Sequence, residues 1–173
     1  GLLIMAGVQI AHVLVPDQKL AQNSYVIEVP EATEVADAAP QDIGPEPILA
    51  LLASADIAAG KKLAKKCTAC HVFEAGGANK VGPALWSIVN KAKASANGFA
   101  YSAALAEFGG TWDYQSLNAF LAKPKAYISG TKMNFAGLKK PEDRANMVAW
   151  MRTMADSEAP LPTAEDIAAE SGS

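Results

Sequence analysis

Apolar residues recur along the chain in three distinct ways. The run Leu2–Val15, "LLIMAGVQIAHVLV", is continuous and carries no formal charge. A helix of that length is about 21 Å long, short of the ~30 Å hydrocarbon core of a bilayer. The sequence starts with Gly inside this run, and Val15-Pro16-Asp17 makes a poor small-x-small cleavage site. The run is therefore expected to be part of an uncleaved transmembrane anchor, in preference to a signal-peptide core. Gln9 and His12 are read as polar positions near its end.

A second pattern, at helical spacing, fills the middle of the chain. Ser54 or Asp56 is placed to cap a helix reaching about Lys66, with Ile57, Gly60, Leu63, Ala64 and Cys67 on one face. A last helix is predicted from "KPEDR". Pro141 suits its first position, and Glu142 and Asp143 suit the positive end of the dipole. Met147, Trp150, Met151 and Met154 form its bulky stripe. Gly60 and Leu63 are expected to cross Met147 and Trp150. Shorter helices are predicted around Ser102–Phe108 and Gln115–Leu121. No strand period and no internal repeat is present, so the fold class is all-α.

The third pattern is the loss of periodicity. Residues 16–53, including "VPEATEVADAAPQDIGPEP", read as an acidic Pro/Ala-rich linker. Its apolar end, "PILALLAS", is expected to dock on the domain as a short helix. The resulting organisation is anchor 1–15, linker 16–53, compact domain 54–155 and mobile acidic tail 156–173.

Charge sharpens this division. The net charge is −3, but residues 54–155 carry fourteen Lys and Arg against six Asp and Glu. The linker holds one Lys against seven acids, and the tail holds five acids and no base. A basic domain fits nucleic acid, an anionic membrane or an acidic protein partner. No nucleic-acid-binding motif accompanies the charge, so no nucleic-acid partner is expected.

The candidate chemistry lies in "KKCTACHVF", Lys65–Phe73, which contains the only two cysteines and one of two histidines. A redox dithiol needs only C-x-x-C, normally on a thioredoxin-like strand and helix. Zinc needs about four ligands, and no second pair exists. C-x-x-C-H is the spacing of covalent haem attachment. Positions i and i+3 share a helical face, so Cys67 and Cys70 can form thioethers to one edge of a porphyrin while His71 faces the iron. Such attachment implies export-side maturation. Of five Met residues, Met5 lies in the anchor and Met147, Met151 and Met154 fit the helix stripe. Met133 stands apart in the loop "YISGTKMNFAGLKK", where a thioether can reach iron. Met/His ligation raises the potential and leaves no open site.

The segments "CTACH", "VGPALW", "GFAYS", "GGTW", "KPKAYISGTKMNFAGLKK" and "RANMVAWM" resemble, in order and spacing, class I cytochrome c of the mitochondrial and alphaproteobacterial type. The resemblance covers about Asp56–Ala155. It implies crossed N- and C-terminal helices around one covalent haem c, with His71 and Met133 as axial ligands. It implies that the Pro83 carbonyl accepts from the His71 ring, that Tyr101, Trp112 and Thr131 hydrogen-bond the buried propionates, and that Phe135 covers the haem edge. Lys91 stands where the family has an Arg near a propionate, and Phe120 replaces a Tyr that reaches the Met sulfur. Trp86 stands where a smaller polar residue is common.

With its anchor and flexible linker, the chain further resembles the membrane-anchored cytochromes c of alphaproteobacteria. That resemblance implies a tethered one-electron carrier of a respiratory or photosynthetic chain. Electrons would pass from the quinol–cytochrome c reductase (bc complex) to a haem–copper oxidase, with the three proteins free or in a supercomplex. The haem domain would lie in the periplasm, tethered to the bacterial inner membrane by the lipid-embedded N-terminal helix. Lys65, Lys66, Lys80, Lys125, Lys132, Lys139 and Lys140 are expected to ring the exposed haem edge as a docking face. Two rival readings are a fixed structural or redox-sensing subunit and a haem peroxidase or oxidase subunit. The last requires an open iron site.

Overall fold

The structure, a computed structural model, describes residues 44–172. The expected anchor and the linker up to residue 43 lie outside the described residues. Among the described residues the helices are α1 (Leu49–Leu52), α2 (Ile57–Ala64), α3 (Ala103–Phe108), α4 (Tyr114–Ala122), α5 (Pro124–Tyr127), α6 (Pro141–Thr153) and α7 (Ala164–Ser171). One isolated antiparallel bridge, Ala92 to Thr111, is the β pairing found among them. None of these helices is long and apolar enough to cross a membrane.

The crossing of α2 and α6 organises the domain. Asp56 caps α2: its Oδ1 accepts from the Ala59 N–H at 2.9 Å. Its own N–H donates to Asn146 Oδ1 on α6 at 2.8 Å. At the crossing, a Cβ on Gly60 would collide with the Asn146 carbonyl and lie 2.7 Å from Trp150 Cβ. Close approach thus offsets the helix cost of glycine, about 1 kcal/mol relative to Ala. The expected meeting of Gly60 with Trp150 is present. Ile57 departs from expectation, being 40% exposed. It is the first residue of α2, ahead of the crossing.

The last helix buries more than the expected stripe. Arg144, Ala145, Met147, Val148, Ala149, Trp150 and Met151 are all buried, because α1, α2 and α4 each pack on α6. A helix covered on several sides loses its amphipathic signature. Phe73, just beyond the Cys/His motif, meets Trp150 edge-on with centroids 4.8 Å apart.

Two expectations need correcting. The linker does not run to residue 53: Ile48, Leu49 and Leu52 are buried in the core, so the packed chain begins near Glu46, and "PILALLAS" docks as the short helix expected. The acidic C-terminal segment, expected to be a mobile tail, carries α7. Thr163 and Asp166 form a reciprocal capping box at its start. Ile167 packs against the core, and Glu170 Oε2 accepts from the Leu49 N–H at 2.8 Å. The connection is fastened on the way. Trp86 Nε1 donates to Asp156 at 3.2 Å, Arg152 donates to the Ala159 carbonyl at 2.6 Å, and the Tyr114 hydroxyl donates to the Pro160 carbonyl at 2.8 Å. Each of these partners is distant or unremarkable in sequence, so acidic composition alone suggested a solvated tail.

The middle helices follow their capping residues. Ser102 accepts from the Leu105 N–H at 3.2 Å to start α3, and Asp113 accepts from the Ser116 N–H at 2.7 Å to start α4. The loop carrying α3 closes through Asn90 N–H to Trp112 O, Trp112 N–H to Lys91 O and Lys93 N–H to Gly110 O.

Candidate functional site

The Cys/His motif continues the helical path of α2. Cys67 N–H donates to Ala64 O at 2.8 Å, Cys70 N–H to Cys67 O at 3.0 Å and His71 N–H to Cys67 O at 2.9 Å. The turn therefore sets the two thiols one helical turn apart with His71 directly behind them. Both cysteines are free, Cys67 half-buried and Cys70 exposed. Burial, with a smaller push from Cys70, raises the Cys67 pKa against the pull of Lys66.

The imidazole is fixed from two directions. His71 Nδ1 lies 2.7 Å from the Pro83 carbonyl oxygen, which selects the tautomer protonated at Nδ1 and leaves Nε2 as the available ligand nitrogen. Gly82 packs against the ring: a Cβ there would lie 2.7 Å from both ring nitrogens. The 76–85 loop reaches this position through Gly82 N–H to Cys70 O and Leu85 N–H to Val72 O. Burial lowers the His71 pKa, opposed by the Pro83 hydrogen bond. The neutral imidazole, the form that binds a metal, thus dominates at neutral pH.

Met133 is half-buried and packs against the same core cluster as Cys67, Leu85, Tyr101 and Phe135. Its N–H donates to Thr131 Oγ1 at 3.3 Å. Two expected docking lysines hold its loop: Lys125 Nζ donates to Asn134 Oδ1 at 3.1 Å, and Lys132 Nζ reaches the Ala100 and Tyr101 carbonyls at 3.3 and 3.4 Å. Short α5, absent from the sequence reading, launches this loop. All seven expected docking lysines are exposed. Lys80 Nζ also donates to the Thr68 carbonyl beside the motif, at 3.1 Å.

The proposed propionate partners are distributed around the same core. Trp112 is buried against Phe120 with centroids 4.9 Å apart. The Tyr101 hydroxyl accepts from the Ala96 N–H at 3.1 Å, and Thr131 is buried. Lys91 lines an open cleft with Asn79, Trp86 and Asn97. A different cation, Lys93, stands over Trp112: its Nζ is 5.2 Å from the Trp112 ring, 5.3 Å from the Phe108 ring and 2.6 Å from the Thr111 carbonyl. Sequence reasoning missed Lys93 because nothing local marks a lysine that turns inward onto two aromatics. Trp86, unexplained by sequence, anchors Asp156.

This donor set fits a covalently held haem. Two reduced thiols one turn apart would carry it, the free His71 Nε2 would take one side of the iron, and the half-buried Met133 is the soft donor that lies on a loop and not on α6 or its end. The Gly82 backbone makes room for the imidazole that a side chain would fill. The bound group would supply the one-electron couple. The chain's own contribution is ligand identity, orientation and shielding from water.

Comparison with known proteins agrees. The family model for cytochrome c matches residues 57–155. A cytochrome c homolog of Bradyrhizobium diazoefficiens is 48% identical over 120 residues, covering 69% of this chain and 65% of that relative. A cytochrome c homolog of Rickettsia felis is 40% identical over 138 residues, covering 80% of this chain and 79% of the relative. The solved structure of cytochrome cH from Methylobacterium extorquens matches with a TM-score of 0.54 at 41% identity, over 57% of this chain and 98% of that one. Matched along its helical core and carrying the thiol pair and oriented histidine that hold haem c, the chain belongs to the class I cytochrome c family, of alphaproteobacterial type.

Proposed function

We propose that this chain is a membrane-tethered one-electron carrier that takes electrons from the quinol–cytochrome c reductase and delivers them to a haem–copper oxidase. The observation that carries the electron-transfer reading is the His71 imidazole. Pro83 O fixes its tautomer, and it sits directly behind a paired-thiol attachment turn. With Met133 as the second ligand the iron would be saturated, which favours electron transfer over oxygen chemistry. The exposed lysines support a docking role. So does Val81, 80% exposed between Lys80 and the Gly82 that packs on His71. An exposed apolar residue beside a lysine suits a transient interface with an acidic partner. The uncharged Leu2–Val15 run supports tethering to the inner membrane, and thioether attachment supports a periplasmic haem domain.

The test is stopped-flow mixing of the full-length haem-loaded protein with purified reductase and, separately, with oxidase. Rapid reduction by the first and oxidation by the second are expected, both slowing steeply as salt screens the docking charges. Failure of either reaction at low salt contradicts the assignment of that partner.

A further inference from the structure

Arg144 is 1% exposed, yet it is the only basic residue in the first half of α6. Its guanidinium joins three parts of the chain. Nε donates to Asn118 Oδ1 on α4 at 2.6 Å. Nη1 donates to the carbonyls of Leu138 and Lys139 at 3.0 and 2.7 Å. Nη2 donates to both the carbonyl and the carboxylate of Glu46, at 3.1 and 3.0 Å. Asn118 closes the network by donating from Nδ2 to the Glu46 carbonyl at 3.0 Å.

Leu138 and Lys139 end the loop that carries Met133. The loop is pinned at its start by Ile128, which is buried and donates to Pro124 O, and at its end by Leu138, which donates to Leu121 O. Between these points residues 129, 130, 132, 134 and 136 are exposed, and the loop is held by buried Thr131 and the Lys125 and Lys132 hydrogen bonds, so the two end anchors share in placing the Met133 sulfur. At the end anchor Arg144 touches loop and N-terminal segment at once. That segment is itself held downstream, by buried Ile48, Leu49 and Leu52 and by Glu170 on the Leu49 N–H.

We propose that Glu46 and Arg144 are positioning residues for Met133: the N-terminal segment 46–52 acts as a buttress, clamped through Arg144 to the far end of the methionine loop, and it resists displacement of the methionine sulfur from iron. This inference rests on Met133 being the second iron ligand. The buttress lies before the residues matched by the family model, which begin at 57, so it is a feature of this chain's extension. Releasing it frees the loop end without touching an iron ligand.

The test uses the full-length haem-loaded ferric protein and its Glu46→Arg and Glu46→Gln variants, titrated with imidazole as a competing ligand. Glu46 is 68% exposed, so both variants are expected to fold, and thermal unfolding checks that they do. Charge reversal at Glu46 is expected to raise imidazole affinity by roughly fivefold, and Glu46→Gln by about twofold, the range open to an ion pair whose carboxylate is in solvent. High salt should shrink the difference. Equal imidazole affinity in all three proteins at low salt overturns the proposal, as does a change in unfolding temperature with no change in affinity. The far-red absorption band of sulfur-ligated ferric haem in the wild type separates the two readings. If it is missing, Met133 ligation itself fails. If it is present with unchanged affinities, only the buttress fails.

Discussion

The Pro83 carbonyl leaves His71 a single useful tautomer, and that one contact orients a half-buried imidazole with Nε2 free to bind a metal. Cys67, Cys70 and His71 were legible in the sequence because their relation is local, one helical turn, whereas Pro83 was implied by the family resemblance, and its carbonyl does meet the His71 ring. Met133 was singled out by elimination, since the other described methionines line α6 and its end. Lys93 and Trp86 were not legible, because an inward lysine and an indole donating to Asp156 are defined only by residues brought close in the fold. Met133→Ala is expected to retain covalent haem, lower the midpoint potential and let the reduced protein bind carbon monoxide close to saturation. Potentiometric and carbon monoxide titrations check it. An unchanged potential without carbon monoxide binding would remove Met133 from the iron.

Elements with a full helical period and a cap were predicted close to their observed bounds. Asp56, Ser102 and Asp113 each cap through the side chain. Asp56→Ala is expected to cost about 1 kcal/mol of stability, readable by denaturant unfolding. Gly60→Ala is expected to cost about 1–3 kcal/mol despite its better helix propensity, because the added methyl enters the α2–α6 crossing. A stabilised Gly60→Ala protein would show that the two helices do not meet there. Two elements escaped the sequence reading for different reasons. α5 is a four-residue turn, too short to display a period. α7 was masked by its acidity, although Thr163 and Asp166, spaced as a capping box, marked its start. The end of the linker was half-legible: its apolar character suggested docking, but the partner that fixes Glu46 is a buried arginine almost a hundred residues away.

Across the molecule, charge is sorted between a basic haem domain and acidic flanks, and that sorting was plain from sequence. The acids do more than solvate. Glu158 pairs with Arg152 at 2.6 Å, and Glu46 with Arg144 at 3.0 Å. Hydrogen bonding to its own backbone, followed by the hydrogen bond and charge of Arg144, holds the Glu46 carboxyl below the usual carboxylate range. Its folded pKa is depressed, so its contribution is present above the unfolded pKa and lost as pH falls through the folded one. The difference in unfolding temperature between wild type and Glu46→Gln should therefore exist at neutral pH and disappear on acidification below that range. A difference that persists there would mean the Gln acts by packing. A saturated His71/Met133 haem built for electron transfer can be checked most directly by an optical redox titration of the full-length native protein under carbon monoxide. A single one-electron step, with the reduced spectrum unaltered by the gas, is the predicted result. A carbon monoxide adduct of the native reduced protein would show an open iron site and rule out Met133 ligation as the resting state.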